Sequence, residues 1–301
     1  MRLRQSYHLY AGITVVLWSL SYVFTRLALQ SFSPFSLGLL RYFFASCFLA
    51  VVLLITKSKW PKRQALGPLI LSGACGFFLY MVTFNLGSQT VTAATSCTVI
   101  ATAPLITMLL ARIICKERLT PLQYVSAFLS FLGVAVLTIW NMRLSTGRGL
   151  FYIFAAAVLL SIYNLLQRRL TKQYSPLQVT GFSIFFGTIL LGVFTPNALC
   201  ELPAAPGKSI GYVVILGVFC GAIAYCCWTK ALSLASDTAS VSNYMFVEPF
   251  LTAVFGLLIA KERLELSTIV GGCIILLGMF LYYFGERLLP HLSKCRQLLR
   301  R

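Results

Sequence analysis

Seven stretches of this 301-residue chain, most of them longer than twenty residues, contain no charged side chain. They cover residues 5–25, 64–111, 119–142, 149–167, 173–200, 209–229 and 266–285. A helix needs roughly 20 apolar residues to cross about 30 Å of hydrocarbon. Charged residues make up 11% of the chain, against about 25% in soluble domains. The pattern therefore predicts an integral membrane protein.

Dividing stretch 64–111 at its polar break (residues 87–90) turns the seven stretches into eight predicted transmembrane helices, and two further apolar runs that each contain a single charged residue, 36–56 and 238–260, bring the number to ten. The predicted spans cover approximately residues 8–29, 36–56, 66–87, 92–113, 121–140, 149–170, 177–196, 209–234, 238–260 and 266–285. The expected fold class is all-helical and integral to a membrane, with the N-terminal run retained as the first span. These spans occupy nearly the whole chain, so the loops leave no room for a soluble domain.

The basic residues are distributed unevenly between the predicted loops. If the N-terminus is cytoplasmic, 18 of the 25 lysines and arginines fall in cytoplasmic segments and five in external ones. Such a bias orients membrane proteins, and it predicts that both ends of the chain are cytoplasmic. It also explains the net charge of +18 without a nucleic-acid partner. The short loops are typical of a bacterial inner (plasma) membrane, where the basic tail 289–301 would contact the lipid bilayer.

Several markers occur twice in the chain at nearly constant spacing. They are Lys-Glu-Arg-Leu at 116–119 and 261–264, the prolines Pro104 and Pro249, and Ser-Pro at 33–34 and 175–176, which are 145, 145 and 142 positions apart. The pattern predicts two five-helix units, residues 1–142 and 143–288. Because five is odd, the second unit enters the membrane from the opposite side. Such inverted repeats are common in secondary transporters that work by alternating access.

The order of these markers resembles the EamA-type drug/metabolite transporter superfamily over nearly the whole chain. The resemblance is carried by Trp-Ser-Leu-Ser-Tyr at 18–22, Ser-Pro at 33–34, Leu-Arg-Tyr at 40–42, Ala-Pro-Leu at 103–105, the motif at 116–120 with Gly133, Glu-Pro-Phe at 248–250, and the motif at 261–264 with Gly271, Gly272 and Gly278. The resemblance implies a central cavity lined by spans 1, 3, 4, 6, 8 and 9. It also implies export, or less commonly import, of amino acids or other small metabolites.

Glu248 is predicted near the middle of span 9, about 11 residues from either end. A carboxylate at that depth is costly and usually faces a cavity or a partner. Glu248 is therefore a candidate ligand for a substrate amine or a protonatable coupling site; the alternative is a structural hydrogen bond to a neighbouring helix. Pro249 and, in the first unit, Pro104 are expected to kink their helices. Ala103 occupies the position equivalent to Glu248.

The other candidates for the cavity wall are aromatic and amide side chains at mid-span. They are Trp18, Tyr22, Tyr80, Asn85, Tyr163, Asn164, Tyr225, Trp228, Asn243 and Tyr244. A small amphipathic solute needs an apolar wall with a few placed polar groups, but helix packing or an interfacial belt would also explain the aromatic residues. Arg26 and Arg41 are predicted near the outer ends of spans 1 and 2, where they extend to the interface or attract a substrate carboxylate.

The sequence contains no pattern for an enzyme, a metal site or an ATP-driven pump. The histidines, His8 and His291, are at opposite ends of the chain, and there is no Cys-x-x-Cys. A phosphate-binding loop ending at 207–209 would need glycine at the position of Leu202. No cofactor is expected, and the energy would come from an ion gradient such as that of protons, from exchange of a second metabolite, or from the substrate's own gradient.

Together these observations predict a secondary active transporter of small metabolites, acting as a monomer or a homodimer. An exporter of amino acids or related amphipathic compounds fits the pattern best. The alternatives are a cationic-drug (multidrug) exporter and a lipid-linked sugar flippase.

Overall fold

The computed structural model describes residues 7–115, 121–142, 147–234, 243–263, 265–266, 268–281 and 284, and over these ranges the regular structure is entirely helical. The helices are α1 (Tyr7–Ala28), α2 (Pro34–Ile55), α3 (Arg63–Ser88), α4 (Ala93–Ile100), α5 (Ala103–Cys115), α6 (Pro121–Met142), α7 (Gly147–Leu170), α8 (Pro176–Leu191), α9 (Thr195–Glu201), α10 (Gly207–Val214, Ile215–Ile223 and Ala224–Leu234 in succession), α11 (Glu248–Ile259) and α12 (Thr268–Leu281). The predictions for residues 116–120, Leu264, the tail 289–301 and the side chain of Asn243 fall outside the described part.

Six helical stretches are long and apolar enough to cross a membrane. They are α1, α2, α3, α7, α10, and α8 together with the turns and short helix that follow it to Ala204. Four shorter apolar helices lie at Ala93–Thr107, Tyr124–Val136, Glu248–Ile259 and Thr268–Leu281, within predicted spans 4, 5, 9 and 10. The described chain therefore has the architecture of a multi-pass helical membrane protein.

The repeated Ser-Pro pair begins a helix in both halves of the chain. The Ser33 hydroxyl accepts a hydrogen bond from the backbone N–H of Ser36 (3.2 Å), and Pro34 is the first residue of α2. Ser175 caps α8 in the same way and also forms a reciprocal capping box with Gln178. Proline suits the first helical position because no backbone N–H is needed there.

The mid-run prolines lie just after breaks in the helices. Pro104 is the second residue of α5, which follows α4 after a turn at 101–102, and Pro249 is the second residue of α11. A 3-10 segment, Asn243–Val247, leads into α11. The distortion expected at these prolines is thus a break that immediately precedes each one, because proline fits the first turn of a new helix better than the interior of a long one.

Helix α10 crosses α2 at very short distance. A Cβ atom added to Gly217 would lie 2.5 Å from the carbonyl oxygen of Arg41 and 2.7 Å from the Cβ of Phe44. Only a residue without a side chain permits this approach. The glycine therefore brings the backbone of α10 against the turn of α2 that carries Arg41.

A matching crossing joins α3 to α8. A Cβ atom added to Gly73 would lie 2.6 Å from the carbonyl oxygen of Ser183 and 2.9 Å from the Cβ of Phe186. Ser183 and Phe186 follow Arg41 and Phe44 by 142 positions each. Gly217 follows Gly73 by 144 positions, close to the marker spacings of 142 and 145, so the same backbone contact is made twice at nearly equivalent positions.

Equivalent residues also meet between α6 and α12. The Ser130 hydroxyl donates a hydrogen bond to the carbonyl oxygen of Ile275 (3.2 Å), a residue 145 positions later. A Cβ atom added to Gly133 would contact Ile275 at 2.7 Å, and one added to Gly278 would contact Ser130 at 2.2 Å. Since Gly133 and Gly278 are also 145 apart, these contacts are reciprocal.

Candidate functional site

Two π-helical segments interrupt α3 and α10. They cover Ala74–Leu79 and Ile215–Ile223, and a shift of 145 positions makes them overlap. Tyr80 follows the first segment directly, and Tyr225 follows the second by two residues. π-helical turns are rare and occur frequently at functional sites. Here they set the direction of the two tyrosines that the repeat relates.

One aromatic group surrounds Tyr225. Its ring centroid lies 5.3 Å from that of Trp18 on α1 and 6.0 Å from that of Phe77 on α3, and Trp18 also contacts Trp228 at 5.2 Å. Phe77 extends the group to Tyr42 on α2 at 5.0 Å. Helices α1, α2, α3 and α10 therefore share one aromatic wall.

A second aromatic group contains Tyr80 and Tyr22. Both rings have centroids 5.6 Å from that of Phe84. Tyr22 is buried, and Tyr80 lies one helical turn from Phe84 on α3. This group places two hydroxyl-bearing rings, from α1 and α3, against the same phenylalanine ring.

Glu248 is the first residue of α11, and only 6% of it is exposed. Its carbonyl oxygen accepts a hydrogen bond from the Ser19 hydroxyl (3.2 Å). Within the described ranges its carboxyl group forms no side-chain hydrogen bond. Its electrostatic neighbours are Tyr22, Tyr80 and Cys97. Cys97, on α4, is a residue that sequence reasoning did not select for the site.

These side chains lie at similar depth in the helix bundle. Glu248 precedes the end of α11 by 11 residues, Tyr80 precedes the end of α3 by eight, and Tyr22 precedes the end of α1 by six. At about 1.5 Å per residue, this places them roughly 9 to 17 Å from the helix ends. The hydrocarbon core is about 30 Å thick, so the site is close to mid-depth.

Arg41 is buried, which corrects the prediction that it extends to the membrane interface. Its exposed fraction is 6%, and its Nε atom has no hydrogen-bond partner in the described chain. The guanidinium carbon lies 5.7 Å from the ring centroid of Tyr42. Its electrostatic neighbours include Tyr80 and Tyr225. The prediction was wrong because the close approach of Gly217, and not the sequence around Arg41, decides which face of α2 is enclosed.

Two predicted cavity residues make structural contacts. Asn85 donates a hydrogen bond through Nδ2 to the carbonyl oxygen of Pro34 (2.9 Å), which links α3 to the start of α2. The Tyr163 ring fills a notch at Gly76, where an added Cβ atom would be 2.2 Å away. The Tyr163 hydroxyl accepts a hydrogen bond from Gln167 (2.7 Å). These contacts are those of helix packing.

Among the remaining predicted residues with described side chains, Tyr244 and Asn164 have no described contact with Glu248. Tyr244 is hydrogen-bonded to His8 near the start of α1, at the opposite end of that helix from Ala28. Asn164 is half-buried on α7. Asn243 begins the 3-10 segment before α11.

The side chain of Arg26 contacts three residues at one end of the bundle. Its Nε atom lies 2.6 Å from Oε1 of Glu262, and its Nη1 atom donates to the carbonyl oxygens of Ser88 (3.2 Å) and Val91. The other carboxylate oxygen of Glu262 accepts from the backbone N–H of Ala93 (2.9 Å), at the start of α4, where the helix dipole favours negative charge. We call this group of five residues the Arg26 cluster.

A buried polar site enclosed by apolar helices at mid-depth is the arrangement expected of a membrane transporter. The model of the EamA-like transporter family matches residues 5–139 and again residues 147–284. The chain therefore belongs to the EamA-like transporter family.

Individual relatives agree with this assignment. The chain is 27% identical over 274 residues to an uncharacterized transporter of Archaeoglobus fulgidus, covering 90% of this chain and 96% of that one. It is 28% identical over 269 residues to a protein of Streptantibioticus cattleyicolor named a probable terminal-alkyne amino-acid exporter, covering 89% and 90%. The uncharacterized inner membrane transporter YedA of Escherichia coli is 22% identical over 300 residues, covering 96% and 95%.

A solved crystal structure has the same fold. It superposes with a TM-score of 0.60 and covers 92% of this chain and 97% of its own, at 21% sequence identity.

Proposed function

We propose that this protein is a secondary active transporter that exports amino acids or related amphipathic metabolites across a bacterial inner membrane. Its ten crossings would consist of the six long helices and the four shorter apolar ones. The excess of basic residues in alternate loops supports cytoplasmic ends.

Two inverted five-helix repeats are part of this proposal. In a two-fold arrangement, residue i contacts j and the equivalent of j contacts the equivalent of i. The contact of Gly217 with Arg41 and that of Gly73 with Ser183 follow this rule. The hydrogen bond between Ser130 and Ile275 joins two equivalent positions, as expected near an axis between the halves.

The Arg26 cluster supports alternating access. Arg26, Ser88 and Ala93 belong to the first proposed repeat, and Glu262 belongs to the second. Their ion pair and hydrogen bonds hold the two repeats together at one end of the bundle. In the proposed orientation this is the external end, so the transport cycle would require the cluster to separate when the opposite end closes.

The observation that carries the proposal is the buried side chain of Glu248, whose electrostatic neighbours are Tyr22, Tyr80 and Cys97. A carboxylate at this depth needs a neutralising partner, and none of the described residues supplies a hydrogen bond to it. A substrate ammonium group and a proton can each neutralise the carboxylate, but only one at a time. This competition would couple proton entry to substrate exit.

Two observations support amino acids as the substrate class. The relative from Streptantibioticus cattleyicolor is named an amino-acid exporter. The aromatic walls around Glu248 also offer an apolar surface with few polar groups, which suits an amphipathic solute.

Counterflow in proteoliposomes tests the function. Vesicles containing the full-length protein would be preloaded with an unlabelled amino acid, and uptake of the labelled compound measured at pH 6 and pH 8 for a panel that includes propargylglycine. We expect counterflow of at least one member, with weaker apparent affinity at pH 6 because protons compete for Glu248. Glu248→Gln should lower counterflow by about 100-fold, through loss of a charged contact.

Glu265→Gln, near the start of α12, is the matched control and should retain wild-type counterflow. A folded Glu248→Gln variant with wild-type counterflow would remove Glu248 from the mechanism. If the folded wild-type protein exchanges no member of the panel, the amino-acid assignment is wrong.

A further inference from the structure

Arg41 and Glu248 are the only charged side chains that the fold buries among the described residues. They are not each other's counter-charge, because the one ion pair within the described ranges joins Arg26 to Glu262. Burying a charge without a partner is strongly unfavourable. Within the described ranges neither side chain has an opposite charge beside it, and a ligand could supply that charge.

Tyr80 is an electrostatic neighbour of both charges. Arg41 is also an electrostatic neighbour of Tyr42 and Tyr225, and Glu248 is also an electrostatic neighbour of Tyr22. The described contacts connect the two charges through the aromatic wall, because Arg41 lies over the Tyr42 ring, and Ser19, which donates to the carbonyl oxygen of Glu248, directly follows Trp18 of the same wall. The face of Tyr42 offsets only part of the cost of burying a guanidinium group.

Helix packing does not require either charge. The position equivalent to Arg41 holds Ser183, which makes the same backbone contact with a glycine of the crossing helix. The position equivalent to Glu248 holds Ala103. Because the same crossing forms with a serine, the arginine must be explained by something other than the fold.

We propose that Arg41 and Glu248 form a two-charge site that selects zwitterionic amino acids, with Arg41 binding the carboxylate and Glu248 the ammonium group. This inference rests on the proposed transport function and specifies the substrate at the same site. A guanidinium group matches a carboxylate through paired N–H donors, and the unpartnered Nε of Arg41 is one such donor. The positive charge of Arg41 also disfavours lipophilic cations, which separates this site from that of a cationic-drug exporter.

Two sets of truncated ligands test the site. Leucine would be compared with 3-methylbutylamine and 4-methylpentanoate, and phenylalanine with phenethylamine and 3-phenylpropanoate. Within each set the side chain is constant, while the ligand carries both charges, only the amine or only the carboxylate. Binding to the full-length protein in detergent micelles would be measured by titration calorimetry, which does not depend on flux.

We expect at least one amino acid to bind about tenfold or more tightly than both of its truncated analogues. Arg41→Gln should reduce the preference for the amino acid over the amine to near unity while leaving the preference over the carboxylate. Glu248→Gln should produce the opposite pattern. Arg63→Gln replaces an exposed arginine at the start of α3 and should leave all ratios unchanged.

The ratios of affinity between each amino acid and its analogues, measured on the wild-type protein, test the proposal even if Arg41→Gln does not fold. Arg41→Lys, which keeps the charge, offers a second variant. The proposal is overturned if neither amino acid binds more tightly than both of its truncated analogues, or if none of the six compounds binds. It is also overturned if a folded Arg41→Gln variant keeps the wild-type ratios. Binding with these ratios but without counterflow would contradict the transport function and leave the two-charge site standing.

Discussion

The crossing of α10 with α2 and the crossing of α3 with α8 have the same backbone geometry and different chemistry. Gly217 and Gly73 would place an added Cβ atom 2.5 and 2.6 Å from the carbonyl oxygens of Arg41 and Ser183. Arg41 has an Nε atom without a partner, whereas the Ser183 hydroxyl donates to the hydroxyl of Ser72 (3.0 Å). At the crossing of α3 with α8 the polar side chains bond to each other. At the crossing of α10 with α2 the charged side chain of Arg41 keeps a donor that a ligand could use.

This difference separates what the fold needs from what a ligand needs. Close helix approach depends on glycine and is the same at both crossings. The charges of Arg41 and Glu248 have no counterpart at Ser183 and Ala103. We therefore expect substitutions at the glycines to affect stability at both crossings, and substitutions at the charges to affect binding at one site.

The largest effect on stability is expected from Gly217→Val and Gly73→Val. Each added side chain would collide with a backbone carbonyl that cannot move without separating two helices. We expect each variant to lose about 3 kcal/mol of unfolding free energy, at the upper end of the usual cost of overpacking. Thermal unfolding in detergent, followed by light scattering or fluorescence, would measure both.

Gly211→Val is the matched control on α10, because a Cβ atom there would meet nothing within 4 Å. Its unfolding free energy should stay close to that of the wild-type protein. If Gly73→Val is harmless while Gly217→Val is not, the two crossings are not equivalent and the comparison fails.

A smaller effect is expected when the Arg26 cluster is broken. The Arg26 and Glu262 side chains are 27% and 13% exposed, so water screens their ion pair in part. We expect Arg26→Gln and Glu262→Gln each to cost about 1 to 2 kcal/mol, in the lower part of the range for hydrogen bonds to charged groups because of this screening. The double variant should cost less unfolding free energy than the sum of the two single variants. If a double-mutant cycle gives no coupling energy, the Arg26–Glu262 pair does not hold this end of the bundle together.

The smallest effect on stability is expected from Arg41→Ser, which gives α2 the residue found at the equivalent position of α8. The change removes a buried charge without a partner, so the unfolding free energy should change by less than about 1 kcal/mol or increase. Ser183→Ala provides the comparison, because it removes a hydroxyl that has a partner. A loss of several kcal/mol in Arg41→Ser would mean that the fold itself requires the arginine.

The sequence predicts the long helices well because the thickness of the hydrocarbon core determines their length. It predicts a loop between spans 7 and 8, where the structure has the short helix α9. A carboxylate of that helix, on Glu201, accepts a hydrogen bond from the backbone N–H of Ser33 (2.8 Å). This contact joins residues 168 positions apart, and no local pattern indicates it.

The candidate site is only partly accessible from the sequence. Aromatic and acidic residues at mid-span are identifiable, and the structure places Tyr22, Tyr80 and Glu248 together. The burial of Arg41 and the pairing of Arg26 with Glu262 depend on which helices meet. The equivalence of Phe44 with Phe186, 142 positions apart, is a signal that could have identified the enclosed face of α2.

The π-helical segments bear on how helices of this kind can change in length. Inserting or deleting one residue in an α-helix turns everything beyond it by about 100°. A π-helical turn absorbs one additional residue, so deleting a residue from Ala74–Leu79 would restore a regular helix and leave its two flanks facing the same neighbours. An alignment gap inside α3 or α10 is therefore compatible with an unchanged orientation of Tyr80 and Tyr225. The same gap in α2 would turn one part of that helix away from the crossing at Gly217.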